Sequence, residues 1–327
     1  METILIATDA WEPQVNGVVT TLKQIQKNII THNVVFITPN DFVTLPNLFY
    51  SEIRLSVPSN KKIDTLIKSI NPDYIHISTE GPIGYYVRKW CLKNKKKFTT
   101  SYHTKFPELL QKQLNIPTWM TRWYFKQFHN SGAGVFCATS SLKRELSMRG
   151  YNNIIDWSRG VDTTLFKPSN QPKRMKPTFL YVGRVSKEKN LEVFLDLDLP
   201  GHKVVVGDGP ELNRYMKKYK NVEFVGIKQG KELVECYQMS DVFCFPSKSD
   251  TFGLVMLEAL ACGLPVAAYS VTGPRDIITS KTGVLSDDLY QACIDCLELK
   301  SDDCVALAKN YDWTEVTKDF ITSLVKI

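Results

Sequence analysis

Short apolar runs alternate along the chain with stretches that carry apolar residues at helical spacing. TILIATD (3–9) reads as a strand, VNGVVTTLKQIQKNI (15–29) as an amphipathic helix and NVVFITP (33–39) as a second strand. DYIHIST (73–79) and KKFTTSYH (96–103) continue the pattern. GVFCATS (134–140) closes it with SLKRELSMRG, which reads as a helix with a Ser cap and a terminal Gly. The second half begins again with TFLYVG (178–183), HKVVVGDG (202–209), VEFVG (222–226), DVFCFPS (241–247) and PVAAYS (265–270). Repeated strand–helix–strand units with nearly continuous apolar strands predict α/β architecture, with parallel sheets covered on both faces.

Between the halves, FKPSNQPKRMKP (166–177) holds three prolines and four basic residues, the composition of a linker. The expected organisation is therefore an N-terminal Rossmann-like domain over 1–166, a linker over 167–177, and a second Rossmann-like domain over 178–309. YDWTEVTKDFITSLVKI reads as a last helix within 310–327. Two doubly wound domains would leave a cleft faced by the carboxyl ends of both sets of strands, where ligands bind in such sheets.

A length of 327 residues suits two domains at about 150 residues each. The apolar runs at 253–257 and 260–269 are well short of the roughly 18 residues of a spanning helix, and METILIATDA has neither a basic leader nor a cleavage site, so a cytoplasmic location is expected. The eight cysteines are scattered through apolar segments and read as reduced, mostly buried side chains. Cys293 and Cys296 form one C-x-x-C without the second pair or the histidines of a zinc site, and read as one face of a late helix. The net charge of +7 gathers in KNKKK (93–97) and PKRMK (172–176). Such runs are either solvated faces or contacts for an anionic partner. Nucleic acid is disfavoured, because no helix-turn-helix, zinc-finger or RNP pattern occurs.

The candidate chemistry sits on loops after strands. Asn16 and Gly17 open the first helix, where free amides attract an anion or where the chain simply turns tightly. Arg184 and Lys189, in GRVSKEKN, suit a diphosphate, and each taken singly is also an ordinary surface charge. His103 ends the segment TTSYH. In DTFGLVMLEALACGLPV (250–266) a helix is expected to start near Phe252, with Asp250 at or just before its cap and the amides of Phe252, Gly253 and Leu254 open to an anion. Glu258 then lies about two turns in among Leu, Val, Met and Ala. A carboxylate so placed needs donors, which the vicinal hydroxyls of a ribose or a structural partner such as Arg or backbone would supply. GDG (207–209) lacks the third Gly and the acidic residue of a dinucleotide fingerprint. The D-x-D at 196–198 reads as a helix end, so no metal site is expected.

With these residues in place, the chain resembles the retaining family 4 glycosyltransferases of the GT-B fold along nearly its whole length. The most specific likeness is the E-x7-E motif, present as SKSDTFGLVMLEALACGLPVAA (247–268) with Asp250 in place of the first Glu and Glu258 as the second. NGVV after the first strand, SYHTKFPE, RGVDTTLF (159–166) and GR-x4-K (184–189) accompany it in family order. The resemblance implies that Glu258 binds the ribose of a nucleotide-sugar and that the amides of Phe252, Gly253 and Leu254 meet its phosphate and sugar. Arg184 and Lys189 would neutralise the diphosphate, Asp250 would hold hydroxyls of the transferred sugar, Gly17 would admit the donor phosphate, and His103 would lie near C6 or the anomeric centre. No metal or other cofactor is required. A UDP-sugar is favoured over a GDP-sugar, and the last helix would return to the N-terminal domain.

IPTWMTRWYFKQFHN (116–130) places Trp119, Trp123, Tyr124, Phe125 and Phe128 among Arg122 and Lys126, an aromatic and basic face suited to an anionic membrane, with core packing as the other reading. With KNKKK and STEGPIG (78–84), it makes the chain look most like the lipid-glycosylating branch of the family. That implies transfer of glucose or glucuronic acid to a lipid such as diacylglycerol by a peripheral membrane enzyme. The alternatives are a GDP-mannose-dependent mannosyltransferase and a nucleotide-sugar-binding protein without transferase activity.

Overall fold

The five apolar runs of the first half, with a sixth strand (β8) that the sequence did not mark, form a six-stranded sheet, parallel throughout, in the order β2-β1-β5-β6-β7-β8. Its strands are β1 (Thr3–Ala7), β2 (Asn33–Ile37), β5 (Tyr74–Ile77), β6 (Thr99–Ser101), β7 (Gly134–Cys137) and β8 (Ile154–Asp156). A separate antiparallel ribbon pairs β3 (Thr44–Pro46) with β4 (Arg54–Ser56). This computed structural model describes residues 1–14, 16–46, 54–114, 116–169, 174–248 and 250–327. Contacts divide the chain into two units, Met1–Ser158 with Trp313–Ile327, and Arg159–Asp312.

In the first unit, α2 (Asn60–Ile70), α3 (Pro82–Lys93) and α5 (Thr118–Asn130) cover one face of the sheet. Ile63, Ile67, Ile83, Val87, Cys91 and Phe128 pack there on Leu5, Ala7, Ile75 and Ile77. The remaining helices of the first half are α1 (Gly17–Asn28), α4 (Phe106–Leu114) and α6 (Ser140–Met148). The cap of α6 is Thr139, which accepts from the Leu142 amide at 3.2 Å, rather than the Ser expected; the helix starts earlier than the sequence suggested.

The second unit repeats the plan with β9 (Thr178–Val182), β10 (His202–Val206), β11 (Val222–Gly226), β12 (Val242–Phe245), β13 (Val266–Ala268) and β14 (Gly283–Leu285), all parallel in the order β11-β10-β9-β12-β13-β14. Its helices are α7 (Leu191–Asp196), α8 (Leu212–Lys218), α9 (Gly230–Gln238), α10 (Leu254–Ala261), α11 (Pro274–Ile277), α12 (Leu289–Cys296) and α13 (Ser301–Ala308). Cys293 and Cys296 are both buried on α12, and all eight cysteines are free thiols.

The segment RGVD (159–162) belongs with this second unit, whose Val161 amide donates to the Tyr311 carbonyl at 2.9 Å. Residues 170–173 of the expected linker lie outside the described residues. The closing helix α14 (Trp313–Ser323) packs on α1 in the first unit, where Phe320 meets Phe136 and Trp157 and the Ile327 amide donates to Asp73. Among the described residues, no helix is long and apolar enough to cross a membrane.

Candidate functional site

Each sheet has one topological switch point, between β1 and β5 in the first and between β9 and β12 in the second. The crevice outside the carboxyl ends of the flanking strands is where ligands bind in open α/β sheets. The sequence-singled residues fall on the loops that leave these strands.

In the second unit, the loop after β9 is tethered on both sides. The Gly183 amide donates to Val206 O and the Val185 amide to Asp208 O, zipping the loop to the GDG turn after β10. Asn190, in the left-handed region at φ 55°, sends its side-chain amide to Pro246 O at 3.1 Å beside the end of β12. GDG is thus a packing device. Gly207 has φ 137°, and a Cβ there would stand 1.9 Å from Gly183 O. Gly207→Ala is expected to cost more than about 2 kcal/mol of stability, read from the midpoint of denaturant unfolding.

The tethers place Lys189 against Asp250, Nζ to Oδ1 at 2.5 Å, across the two strands of the switch point. Burial raises the Asp250 carboxyl, and the Lys189 ammonium more than offsets it, so the group stays below the ordinary aspartate range. Arg184 lies five residues before Lys189, its Nε 3.9 Å from Glu188 and its backbone carbonyl held by the Tyr181 hydroxyl at 2.8 Å. The helix after β12 starts later than expected. Gly253, at φ 94°, is the N-cap of α10, so Asp250 is not a cap and is drawn to Lys189 instead. Phe252 is buried, with its ring on Tyr311, and Leu254 is the first helical residue.

Glu258 stands on α10 as expected, with a donor the sequence did not reveal. The hydroxyl of Tyr237, a fully buried side chain on α9, donates to Glu258 Oε2 at 2.8 Å. The residue keeps some solvent exposure while its carboxyl is enclosed by protein. Burial pushes that carboxyl up to about 7, the Tyr237 hydrogen bond holding it down only in part. Of the structural partners weighed from sequence beside a ribose, Arg and backbone, neither is the one found; a phenol meets one oxygen and brings no positive charge.

In the first unit, Asp9 follows β1 and was not singled out. Its carboxylate accepts from the amides of Ile83 at 2.8 Å and Gly84 at 3.2 Å and from the Thr79 hydroxyl at 3.0 Å, capping α3 from another strand. Burial pushes Asp9 up to about 6 against these donors. The signal was present in STEGPIG: Gly81 is the N-cap of α3 and has no side chain, so the first amides of the helix need an acceptor from elsewhere. Glu80, next in line, meets His129 Nε2 at 3.0 Å with both side chains buried. His103 lies two residues beyond the end of β6, with its Nε2 3.1 Å from the Ser78 hydroxyl and its ring edge-on to Trp157. Gly17 is exposed at the start of α1. The Asn16 side chain already accepts from the Val18 and Val19 amides, both at 3.1 Å, which leaves that helix end a weaker anion site than its sequence suggested.

Helix α5 is two-faced. Trp119 and Trp123 are 71% and 61% exposed, with Met120, Arg122 and Tyr124 beside them. Phe125 and Phe128 turn inward, so they are core and not part of the aromatic face; helical spacing puts them on the side of the helix away from the tryptophans. Arg122 pairs with Glu108 at 2.9 Å, and Lys126 is half-buried.

Two family models match the chain: Glycosyltransferase Family 4 over residues 16–165 and Glycosyl transferases group 1 over residues 162–292. The chain is a glycosyltransferase with two Rossmann-like domains of the GT-B type. It belongs to the family 4 glycosyltransferases. It is 29% identical to a GDP-mannose-dependent alpha-mannosyltransferase of Mycobacterium tuberculosis, over 86% of this chain and 83% of that one. It is 30% identical to a sulfoquinovosyl transferase of Arabidopsis thaliana, over 74% and 52%. An alpha-monoglucosyldiacylglycerol synthase of Streptococcus pneumoniae is 26% identical over 84% and 72%. Among solved structures, a sucrose-phosphate synthase of Thermosynechococcus elongatus shares the fold with a TM-score of 0.77 at 19% identity, covering 98% of each chain.

Proposed function

We propose that the protein transfers a hexose, glucose or glucuronic acid, from a nucleotide diphosphate sugar to a membrane lipid such as diacylglycerol, with retention of anomeric configuration. The observation that carries the donor half is the gathering of Arg184, Lys189 and Asp250 at the switch point of the second sheet. Breaking the bond between a sugar and a diphosphate builds negative charge on the departing oxygen, and fixed cations there lower the barrier. Lys189 reaches the diphosphate by exchanging Asp250 for it, which frees Asp250 to accept hydroxyls of the transferred sugar. Arg184 binds the phosphates from the same loop, and the amides of Phe252, Gly253 and Leu254 approach from the turn into α10. Glu258 takes the ribose hydroxyls, Gly17 admits the phosphate from the first unit, and His103 stands near the sugar. No metal enters this scheme.

The lipid half is supported by the exposed Trp119, Arg122 and Trp123 of α5, with the half-buried Lys126 beside them, and by the diacylglycerol named for the Streptococcus relative. A peripheral position at the cytoplasmic membrane surface follows. The Mycobacterium relative favours a second reading, a GDP-mannose-dependent mannosyltransferase.

The test is a thermal-shift screen of UDP- and GDP-sugars followed by nucleotide release with and without diacylglycerol. A donor at about 100 times its Kd stabilises the fold by about 2.7 kcal/mol. A shift with UDP-glucose or UDP-glucuronate and release that needs the lipid support the proposal. A shift with GDP-mannose alone supports the second reading, and no shift with any donor sinks both. Vesicles containing anionic lipid are expected to bind the protein and to release it as salt rises, while indifference to vesicles would point to a water-soluble acceptor.

A further inference from the structure

Among the described residues, the ribbon of β3 and β4 presents an outer face that is left exposed. Its register sets Leu45 opposite Leu55, and the Val57 amide donates to Val43 O at 2.9 Å. Side chains two residues apart on a strand share a face, so Val43, Leu45, Leu55 and Val57 line up together, 42% to 75% exposed. The inner face is already engaged. Ser56 is buried, and Thr44 and Arg54 line a cavity of about 230 Å³ with Trp11, Asn40 and Phe42. Arg54 is held there by Thr44, Nε to Oγ1 at 2.6 Å. A two-stranded ribbon gains little from its own hydrogen bonds in water, and an outward face made wholly of Val and Leu calls for an apolar neighbour.

The surroundings say which neighbour. β4 packs on α3, and α3 is bonded to α5 through Arg88, which donates to Gln127 O and Phe128 O, each at 3.2 Å. Ribbon, α3 and α5 therefore follow one another along one side of the unit. Between Tyr85 and Lys97 this side carries six basic residues and no acidic one, and α5 has none either. Lys61 and Lys62 stand exposed at the start of α2. Apolar side chains bordered by a surplus of cations, with Asp64 and Glu108 opposing a minority of them, match an anionic lipid surface in both hydrophobicity and charge.

We infer that the ribbon is a bilayer-contacting element that enters the anionic lipid interface through Val43, Leu45, Leu55 and Val57 alongside α5. The inference rests on the reading of the protein as a lipid glycosyltransferase, and its test separates the two. Full-length protein is sedimented with phosphatidylcholine vesicles, with and without phosphatidylglycerol, as wild type, as the double variant Leu45→Asp with Leu55→Asp, and as Trp119→Ser with Trp123→Ser. The ribbon variant is expected to lose at least about tenfold in partitioning to anionic vesicles, the order set by two leucines kept out of the apolar layer, while its melting temperature and UDP-sugar thermal shift stay unchanged. If the aspartates lower the melting temperature, Val43→Ser with Val57→Ser is used, with the same expectation. Wild-type partitioning by the ribbon variant, with loss only in the tryptophan variant, overturns the inference and leaves the lipid-acceptor reading standing. A wild-type dimer, by light scattering, that the ribbon variant splits makes the covering surface a second copy and also overturns it. A wild type that binds no vesicle overturns both.

Discussion

Lys189→Ala is expected to lower turnover by at least about 100-fold, and Arg184→Ala by a similar factor, the scale of removing one fixed donor from a developing anion. The two variants differ in what they do to the fold. Lys189 neutralises a largely buried carboxylate at 2.5 Å, so its removal leaves Asp250 without a counter-charge and is expected to cost about 3–5 kcal/mol, the carboxyl then climbing under burial with only the Ser247 hydrogen bond opposing it. Arg184 lies 3.9 Å from a partly exposed Glu188, and its loss is expected to cost less than about 1 kcal/mol. Turnover is therefore to be measured per folded molecule, with unfolding midpoints alongside. The double variant Lys189→Ala with Asp250→Asn should recover stability without recovering turnover. If it recovers both, Lys189 serves the fold and not the diphosphate. Near-wild-type turnover in both single variants would remove the donor assignment altogether.

What the sequence made legible follows from how local each signal is. Ten of the parallel strands coincide with short apolar runs, most of them largely buried, so hydrophobic continuity marks them; β8 and β14, three residues each, are too short to stand out by continuity. The loops after β9 and β12 carry their charges within a few residues of a strand end, which is why Arg184, Lys189 and Asp250 stood out. What escaped depends on contacts between distant segments. Tyr237 is 21 residues from Glu258, Asp9 caps a helix more than 70 residues on, and Val161 is bonded to Tyr311; no periodicity links such pairs. The start of α10 was misplaced because Gly253 at positive φ is its cap, whereas Asp250 offers the more familiar capping side chain for a helix starting near Phe252. In α5 the aromatic content was visible, yet only the helical phase separates the exposed Trp119 and Trp123 from the buried Phe125 and Phe128.

Glu258→Gln is expected to stabilise the donor-free protein above neutral pH while weakening its hold on the donor. Burial pushes the folded carboxyl from 4.5 up to about 7, so the folded state binds this proton more tightly than the unfolded chain does. The contribution is fully present below about pH 4.5 and is lost as pH rises to about 7, after which the ionised carboxylate costs the fold on the order of 1–3 kcal/mol. Glutamine keeps the shape and an oxygen for the Tyr237 hydroxyl and carries no charge at any pH. Urea midpoints for variant and wild type should therefore coincide near about pH 4 and separate near about pH 8 in the variant's favour. An amide is a weaker acceptor than a carboxylate for ribose hydroxyls, so KM for the donor should rise about tenfold or more, with the larger part of the change in KM and not in kcat. A variant that is less stable than wild type near pH 8, with donor KM unchanged, would mean that the ionised Glu258 belongs to the Tyr237 contact and to nothing else.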